Sequence, residues 1–140
     1  MVDRALVLRK LAELQEYLGQ IKEYGNLTVE QYLGDWKIQR IIERTLQMML
    51  ETCTDIAGHI ISDRGYRIPT SYADTFKVLH EKNILDKGLF ETMEKMARFR
   101  NIVVHHYDRI DADIVIDILS RDLDHFSDYK DAIIDMLETE

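Results

Sequence analysis

The residues with the most reactive side chains lie within one short stretch, Arg100 to Tyr107, which reads Arg-Asn-Ile-Val-Val-His-His-Tyr. An arginine offers a planar fork of donors suited to phosphate oxygens, and an imidazole gains and loses a proton near neutral pH. A group that holds developing charge and a group that moves protons form a minimal set for cleaving a phosphodiester without a metal. The stretch therefore points to phosphodiester chemistry, although a histidine pair after a helix also suits a solvated helix end.

The spacing within this stretch constrains the geometry of the site. In an unbroken helix, the five residues from Arg100 to His105 turn through about 500°, which leaves the two side chains about 140° apart. Either the helix breaks near Val103-Val104, or the site takes residues from two copies of the chain. Tyr107, seven residues after Arg100, would return to the face of Arg100 if the helix continued.

The pattern Arg100-Asn101-x-x-x-His105 resembles the motif of HEPN domains, which is Arg, a polar residue, three further residues and His. Its extension to Tyr107, Arg-x4-His-x-Tyr, is similar to the HepT branch of that superfamily. The resemblance continues through the flanking segments and covers nearly the whole chain. These segments are Asp35-Trp36 with Arg40, Gly65 to Pro69, and Asp111 to Val115.

The resemblance implies a specific biological role. HepT proteins are ribonuclease toxins of prokaryotic toxin–antitoxin pairs, and their partner MntA is a minimal nucleotidyltransferase that silences the toxin by adding AMP to the motif tyrosine. Carried over, Arg100, Asn101 and His105 are the expected nuclease residues, and Tyr107 is the expected modified hydroxyl. The candidate auxiliary residues are His106, Asp35 and Arg40. A helix cap and a surface charge explain the last two equally well.

We expect a homodimer whose two motifs face each other, because RNA cleavage by 2′-hydroxyl attack needs both a base and an acid. Each chain supplies one His105, and the two Arg100 side chains stabilise the phosphorane charge. Asn101 positions a phosphate oxygen or a histidine. This mechanism predicts an endoribonuclease that needs no metal or cofactor and leaves a 2′,3′-cyclic phosphate. The alternative is a non-catalytic helical partner of a nucleotidyltransferase, docked through its acidic last helix.

Composition limits the class of protein. At 140 residues the chain is expected to form one domain, residues 1–140, and 46% hydrophobic residues with one proline favour a compact helical fold. No apolar run approaches the length of about 18 residues that spans a membrane. The N-terminus enters an amphipathic pattern directly, so we expect no signal peptide. The single cysteine, Cys53, falls in an apolar stripe and fits a reducing cytoplasm.

The net charge of −8 is unevenly distributed. Residues 108–140 hold 11 acidic and 3 basic side chains, so the rest of the chain is electrically neutral. This balance argues against a protein that coats RNA non-specifically, and it leaves room for a local phosphate site. The aspartates of the last segment are spaced as a solvated helix face, so we expect no metal site there.

Hydrophobic periodicity predicts an all-α antiparallel bundle of four to five helices with HEPN-like topology. The main helices are predicted over about residues 4–24, 35–64, 72–83, 86–100 and 112–137. Thr28 to Gln31 has the form of a capping box for a further short turn. The buried stripes of the first two long helices are predicted to include Leu8, Leu11 and Leu14, then Ile41, Ile42 and Leu46.

Overall fold

The computed structural model describes residues 2–140, and this part of the chain is helical without any strand. The predicted all-α bundle is thereby confirmed. Its helices are α1 (Arg4–Ile21), α2 (Val29–Leu33), α3 (Trp36–Arg64), α4 (Tyr72–Glu81), α5 (Lys87–His105), α6 (Ala112–Asp117) and α7 (Leu123–Glu138). A π-helical segment, Ile118–Asp122, joins α6 to α7, so the last helix is continuous in space.

Side chains at the helix ends fix the helix boundaries. Asp35 Oδ1 accepts hydrogen bonds from the backbone N–H groups of Lys37 and Ile38, at 3.0 and 3.2 Å, and so begins α3. Asp86 caps α5 in the same way, and the predicted capping box at Thr28 is present. Gly65 ends α3 with φ of 66°, a left-handed conformation that favours glycine.

The long helix α3 is the centre of the bundle and contacts α1, α4 and α5. Its predicted stripe is buried at Ile42 and Leu46, but Ile41 is 48% exposed. Leu8 in α1 is likewise 40% exposed, and Val7 is buried in its place. Both predictions were wrong because a spacing of three or four residues admits positions about 100° from the centre of the buried face.

One buried polar side chain, that of Tyr129, joins α7 to the centre of the bundle. The Tyr129 hydroxyl donates a hydrogen bond of 2.7 Å to the carbonyl oxygen of Cys53, and its ring packs edge-on against Phe76. Burial raises the pKa of Tyr129 and that of the Cys53 thiol well above their ordinary values. Cys53 is therefore a buried, unreactive hydrophobic residue, as its place in the apolar stripe predicts.

Helix α5 continues unbroken through Val103 and Val104 to His105. His106 ends it, donating its backbone N–H to the Ile102 carbonyl oxygen at 2.8 Å, and a 3₁₀ turn from Tyr107 to Arg109 follows. The helix break considered above is therefore absent. Within residues 2–140, no helix combines the length and apolar character needed to cross a membrane.

Candidate functional site

The Arg100 side chain points inward, against α3 and α4. Its Nη2 donates to Glu51 Oε1 at 3.0 Å, and its Nη1 donates to Asn101 Oδ1 at 3.3 Å. The guanidinium carbon lies 4.0 Å from the centroid of the Tyr72 ring, a cation–π geometry. The side chain is 12% exposed. Arg100 is therefore held on one face by an aromatic ring and at one edge by a carboxylate.

Glu51 is itself held in place from its own helix. Gln47, one turn earlier on α3, donates its amide N–H to the same Oε1 at 3.1 Å. Burial alone would raise the pKa of Glu51, but the hydrogen bonds from Gln47 and Arg100, with the positive charges of Arg100 and Arg44, outweigh it and lower the pKa. Glu51 therefore remains a carboxylate at neutral pH and keeps its ion pair with Arg100.

The guanidinium of Arg100 still has hydrogen-bonding capacity. Arginine carries five N–H donors, and the two contacts described above use two of them. Its Nε is buried and has no hydrogen-bond partner among residues 2–140. Because an unpartnered buried donor is costly, this guanidinium keeps the capacity to bind a further acceptor.

The other motif residues face solvent. Asn101, His105 and His106 are exposed, and Tyr107 is 66% exposed. His105 is the last residue of α5 and His106 is its cap, so both rings lie at the helix end. Because α5 is unbroken, the inward Arg100 and the outward His105 leave it in different directions. One chain thus brings Arg100 and Asn101 together, but it does not place His105 on the Arg100 face.

A small cavity joins the end of the motif to the start of α3. Its volume is about 230 Å³, and it is lined by Arg40, Glu43, Arg44, Gln47, Val103 and Tyr107. We call this cavity the tyrosine groove. Since Arg100 meets Glu51 while Tyr107 lies by Arg40 to Gln47, α3 and α5 run antiparallel here. The groove therefore places Arg40, one of the candidate auxiliary residues, beside Tyr107.

The carboxylate in the tyrosine groove, that of Glu43, already has hydrogen-bond partners. Glu43 is buried and accepts a hydrogen bond of 2.8 Å from the Tyr32 hydroxyl and one of 3.1 Å from Arg40 Nη1. Burial, and then this bond to Glu43, raises the pKa of Tyr32. Arg44 is exposed and forms no ion pair with any residue from 2 to 140. The groove thus holds two arginines and one carboxylate within a protein of net charge −8.

Other candidates lie apart from this region. Asp35, a candidate auxiliary residue, acts as the N-cap of α3. A larger cavity of about 700 Å³ lies between the α4–α5 turn and α7, with Asp128, Asp131 and Asp135 among its lining residues, but it contains none of the motif side chains. Across residues 2–140, no group of three or more His, Cys, Asp or Glu side chains is arranged to hold a metal ion.

Five residues of the site were not predicted from the sequence, namely Glu43, Arg44, Gln47, Glu51 and Tyr72. A signal was available for the four that lie on α3. The polar positions of α3 at 40, 43, 44, 47 and 51 share one helical face, opposite in character to the apolar stripe. Such a polar stripe on a central helix indicates a second, non-core function for that face. Tyr72 carries no comparable signal, since its contact with Arg100 arises only when α4 packs beside α5.

Comparison with known proteins gives a consistent family assignment. The family model described as Ribonuclease HepT-like matches residues 14–133. The mRNA nuclease HepT of Shewanella oneidensis is 31% identical over 129 residues, covering 91% of this chain and 96% of that protein. The tRNA nuclease HepT of Aphanizomenon flos-aquae is 28% identical over 128 residues, covering 91% of this chain and 87% of that protein.

A solved structure extends the likeness to the fold. The tri-AMPylated HEPN toxin of Shewanella oneidensis, in complex with its MNT antitoxin, superposes with a TM-score of 0.86 at 31% identity. The match covers 96% of this chain and 99% of that one. The predicted HEPN-like topology of the bundle is therefore confirmed.

Proposed function

The chain belongs to the HepT-like ribonuclease family, and we propose that it is the endoribonuclease toxin of a toxin–antitoxin pair whose active site is shared between two copies of the chain. Nuclease activity is the property of the family.

The proposal of a shared site rests on the course of helix α5. Helix α5 is unbroken through His105, so Arg100 turns into the bundle while His105 faces solvent. A single chain therefore offers one outward imidazole and one recessed guanidinium. Two chains related by a two-fold axis bring two of each to a common interface. Val104, next to His105, is an exposed apolar residue that such an interface would cover.

The proposed reaction is a transesterification within the RNA strand. His105 of one chain accepts the proton of the 2′-hydroxyl, and the 2′-oxygen forms a bond to phosphorus. The bond from phosphorus to the 5′-oxygen breaks, and the partner subunit's His105 protonates that leaving oxygen. The products are a 2′,3′-cyclic phosphate and a 5′-hydroxyl, and the two histidines have exchanged one proton each with the substrate.

Arg100 and Asn101 stabilise the negative charge that develops on the phosphate during the proposed reaction. The remaining N–H donors of the Arg100 guanidinium bind the non-bridging oxygens, where negative charge grows in the transition state. Asn101, hydrogen-bonded to Arg100, orients it or a phosphate oxygen. Since side chains supply the base, the acid and the charge stabilisation, the proposed reaction needs no metal. His106 is the exposed imidazole next to His105, and its contribution to cleavage is tested in parallel with that of His105.

The experiment is RNA cleavage in EDTA by purified protein that was expressed without a partner. We expect wild type and His106→Ala to cleave, leaving cyclic phosphate ends, and His105→Ala and Arg100→Ala to be inactive although folded. Full activity of a His105→Ala preparation free of contaminating nuclease would contradict the mechanism. If every folded, unmodified preparation is inert on both mRNA and tRNA, the chain is a binding module of the nucleotidyltransferase instead.

A mixing experiment tests whether the site is shared. An excess of folded His105→Ala chains is added to a fixed amount of wild type and allowed to exchange. In a shared site the inactive chains capture wild-type chains in mixed dimers that lack the acid or the base, so the activity per wild-type chain falls. An unchanged activity, with exchange verified by native mass spectrometry, would show that each chain works alone.

The proposed control of the toxin is AMP addition to Tyr107 by an MntA-like nucleotidyltransferase. The exposure of this phenol and its position two residues from His105 support the proposal. An added adenylate brings bulk and negative charge to the entrance of a site meant for RNA phosphate. We expect co-expression with such an enzyme to add the mass of adenylate to wild type and none to Tyr107→Phe. Equal modification of Tyr107→Phe would place the target elsewhere.

A further inference from the structure

The tyrosine groove is lined by two arginines that the proposed reaction does not use. Arg40 and Arg44 are one helical turn apart on α3, so their side chains lie on the same face and both line the groove. Arg40 is oriented by the buried Glu43, and Arg44 has no carboxylate partner among residues 2–140. The groove therefore presents one guanidinium oriented by Glu43 and one without an ion-pair partner beside the Tyr107 ring.

The size and position of the groove limit its ligand. About 230 Å³ is smaller than the roughly 300–1,000 Å³ of pockets that enclose a whole small molecule. It matches a phosphodiester with part of its sugar, and arginine forks bind such groups well. The polar stripe of α3 runs from Arg40 past Gln47 to Glu51, which holds Arg100. The groove thus continues the proposed cleavage site along α3 and α5.

We propose that the tyrosine groove is a phosphodiester-binding subsite, occupied by the RNA strand next to the scissile bond in the active enzyme and by the adenylate phosphate on Tyr107 in the silenced one. This inference rests on the proposed function. It adds that the modification mimics the substrate, because the phosphate of the adenylate lies where an RNA phosphate otherwise binds. Arg44 is then the residue that recognises both.

The first arm of the test measures binding of RNA without cleavage. The probe is 2′-O-methyl RNA, which has no free 2′-hydroxyl to attack, titrated into wild type and Arg44→Gln over a range of salt concentrations. The matched control is Arg9→Gln, since Arg9 on α1 is also exposed and unpaired within residues 2–140. We expect Arg44→Gln to weaken binding about five- to tenfold, from the loss of one charge-assisted contact. Its salt dependence should be shallower by about 0.7 in slope.

The second arm measures how the adenylate is held. Wild type, Arg44→Gln and Arg9→Gln are modified with a nucleotidyltransferase and exposed to a non-specific phosphodiesterase, and the loss of adenylate is followed by intact mass. A phosphate bound by Arg44 is shielded, so we expect release from Arg44→Gln to be several-fold faster than from the other two. Arg44→Lys keeps the positive charge but lacks the planar guanidinium. Its rate of adenylate release should lie between those of wild type and Arg44→Gln.

The outcomes separate the two sources of phosphate. A change in both arms supports the shared subsite. A change in RNA binding alone assigns the groove to RNA and overturns the mimicry, and a change in release alone assigns it to the adenylate and overturns the RNA role. No change in either arm, with melting temperatures equal to wild type, overturns the proposal. Because the RNA probe is not cleaved, this test also holds if the wild-type protein proves catalytically inert.

Discussion

The contact between Glu51 and Arg100 yields a quantitative prediction for catalysis. Glu51→Gln keeps an acceptor at the same position and removes the negative charge. Glu51 Oε1 lies 3.0 Å from Arg100 Nη2, and the two side chains are 33% and 12% exposed. A hydrogen bond to a charged group contributes about 1.5–3 kcal/mol, whereas a solvated ion pair contributes about 0.2–1 kcal/mol.

The expected effect lies between these limits, because Glu51 is partly solvated and glutamine retains a weaker hydrogen bond. We take about 1–1.4 kcal/mol, which corresponds to a fall of about five- to tenfold in rate. The loss should appear in kcat more than in KM, since Arg100 is proposed to meet charge that develops only in the transition state. The ion pair would then preorganise the guanidinium against the Tyr72 ring.

The assay is a Michaelis analysis of RNA cleavage, with thermal melting to check the fold. The matched control is Glu91→Gln, which removes an exposed carboxylate that pairs with Lys87 at 4.0 Å on the same helix as Arg100. We expect the control to keep wild-type kinetics. A kcat of Glu51→Gln equal to or above that of wild type would refute the reasoning, because it would mean that Glu51 competes with phosphate for Arg100.

Two further predictions concern stability. Hydrogen bonds from Arg67 lower the pKa values of Asp74 and Glu81, so this cluster stabilises the fold above the ordinary carboxyl pKa of about 4, and the stabilisation is lost as the pH falls through the lowered values. Melting curves should therefore show Arg67→Gln below wild type near neutral pH, with the difference narrowing in acid; a constant difference would contradict this. Tyr129→Phe removes the buried bond to the Cys53 carbonyl, and we expect a loss of about 1 kcal/mol in the free energy of unfolding, measured by urea titration. An unchanged midpoint would mean that this hydrogen bond contributes nothing net.

Much of the fold follows from local sequence signals. Asp35, Asp86 and Thr28 begin helices where their side-chain chemistry predicts, and Gly65 ends one. These features depend on only a few neighbouring residues, so they are readable without tertiary structure. The same holds for the divergence of Arg100 and His105, which the helical repeat alone predicts once the helix is known to be unbroken.

The environment of Arg100 was not readable in this way. Its carboxylate partner is 49 residues away in the chain, and its aromatic partner lies on a different helix again. Such contacts depend on how α3, α4 and α5 pack together, which propensity and periodicity do not encode. The π-helical segment at Ile118–Asp122 was missed for a related reason, since no residue type in it marks the extra residue per turn.

Because α5 is unbroken, toxicity should depend steeply on the concentration of the chain. In the proposed dimer no single chain holds a complete set of reacting groups, so toxicity requires two chains to meet. Below the dimer Kd the number of complete sites rises with about the square of the chain concentration. Leaky synthesis of a few unmodified chains would then be harmless, and a burst of synthesis would not. The silencing enzyme need mark only part of the pool, because one marked chain disables its partner as well.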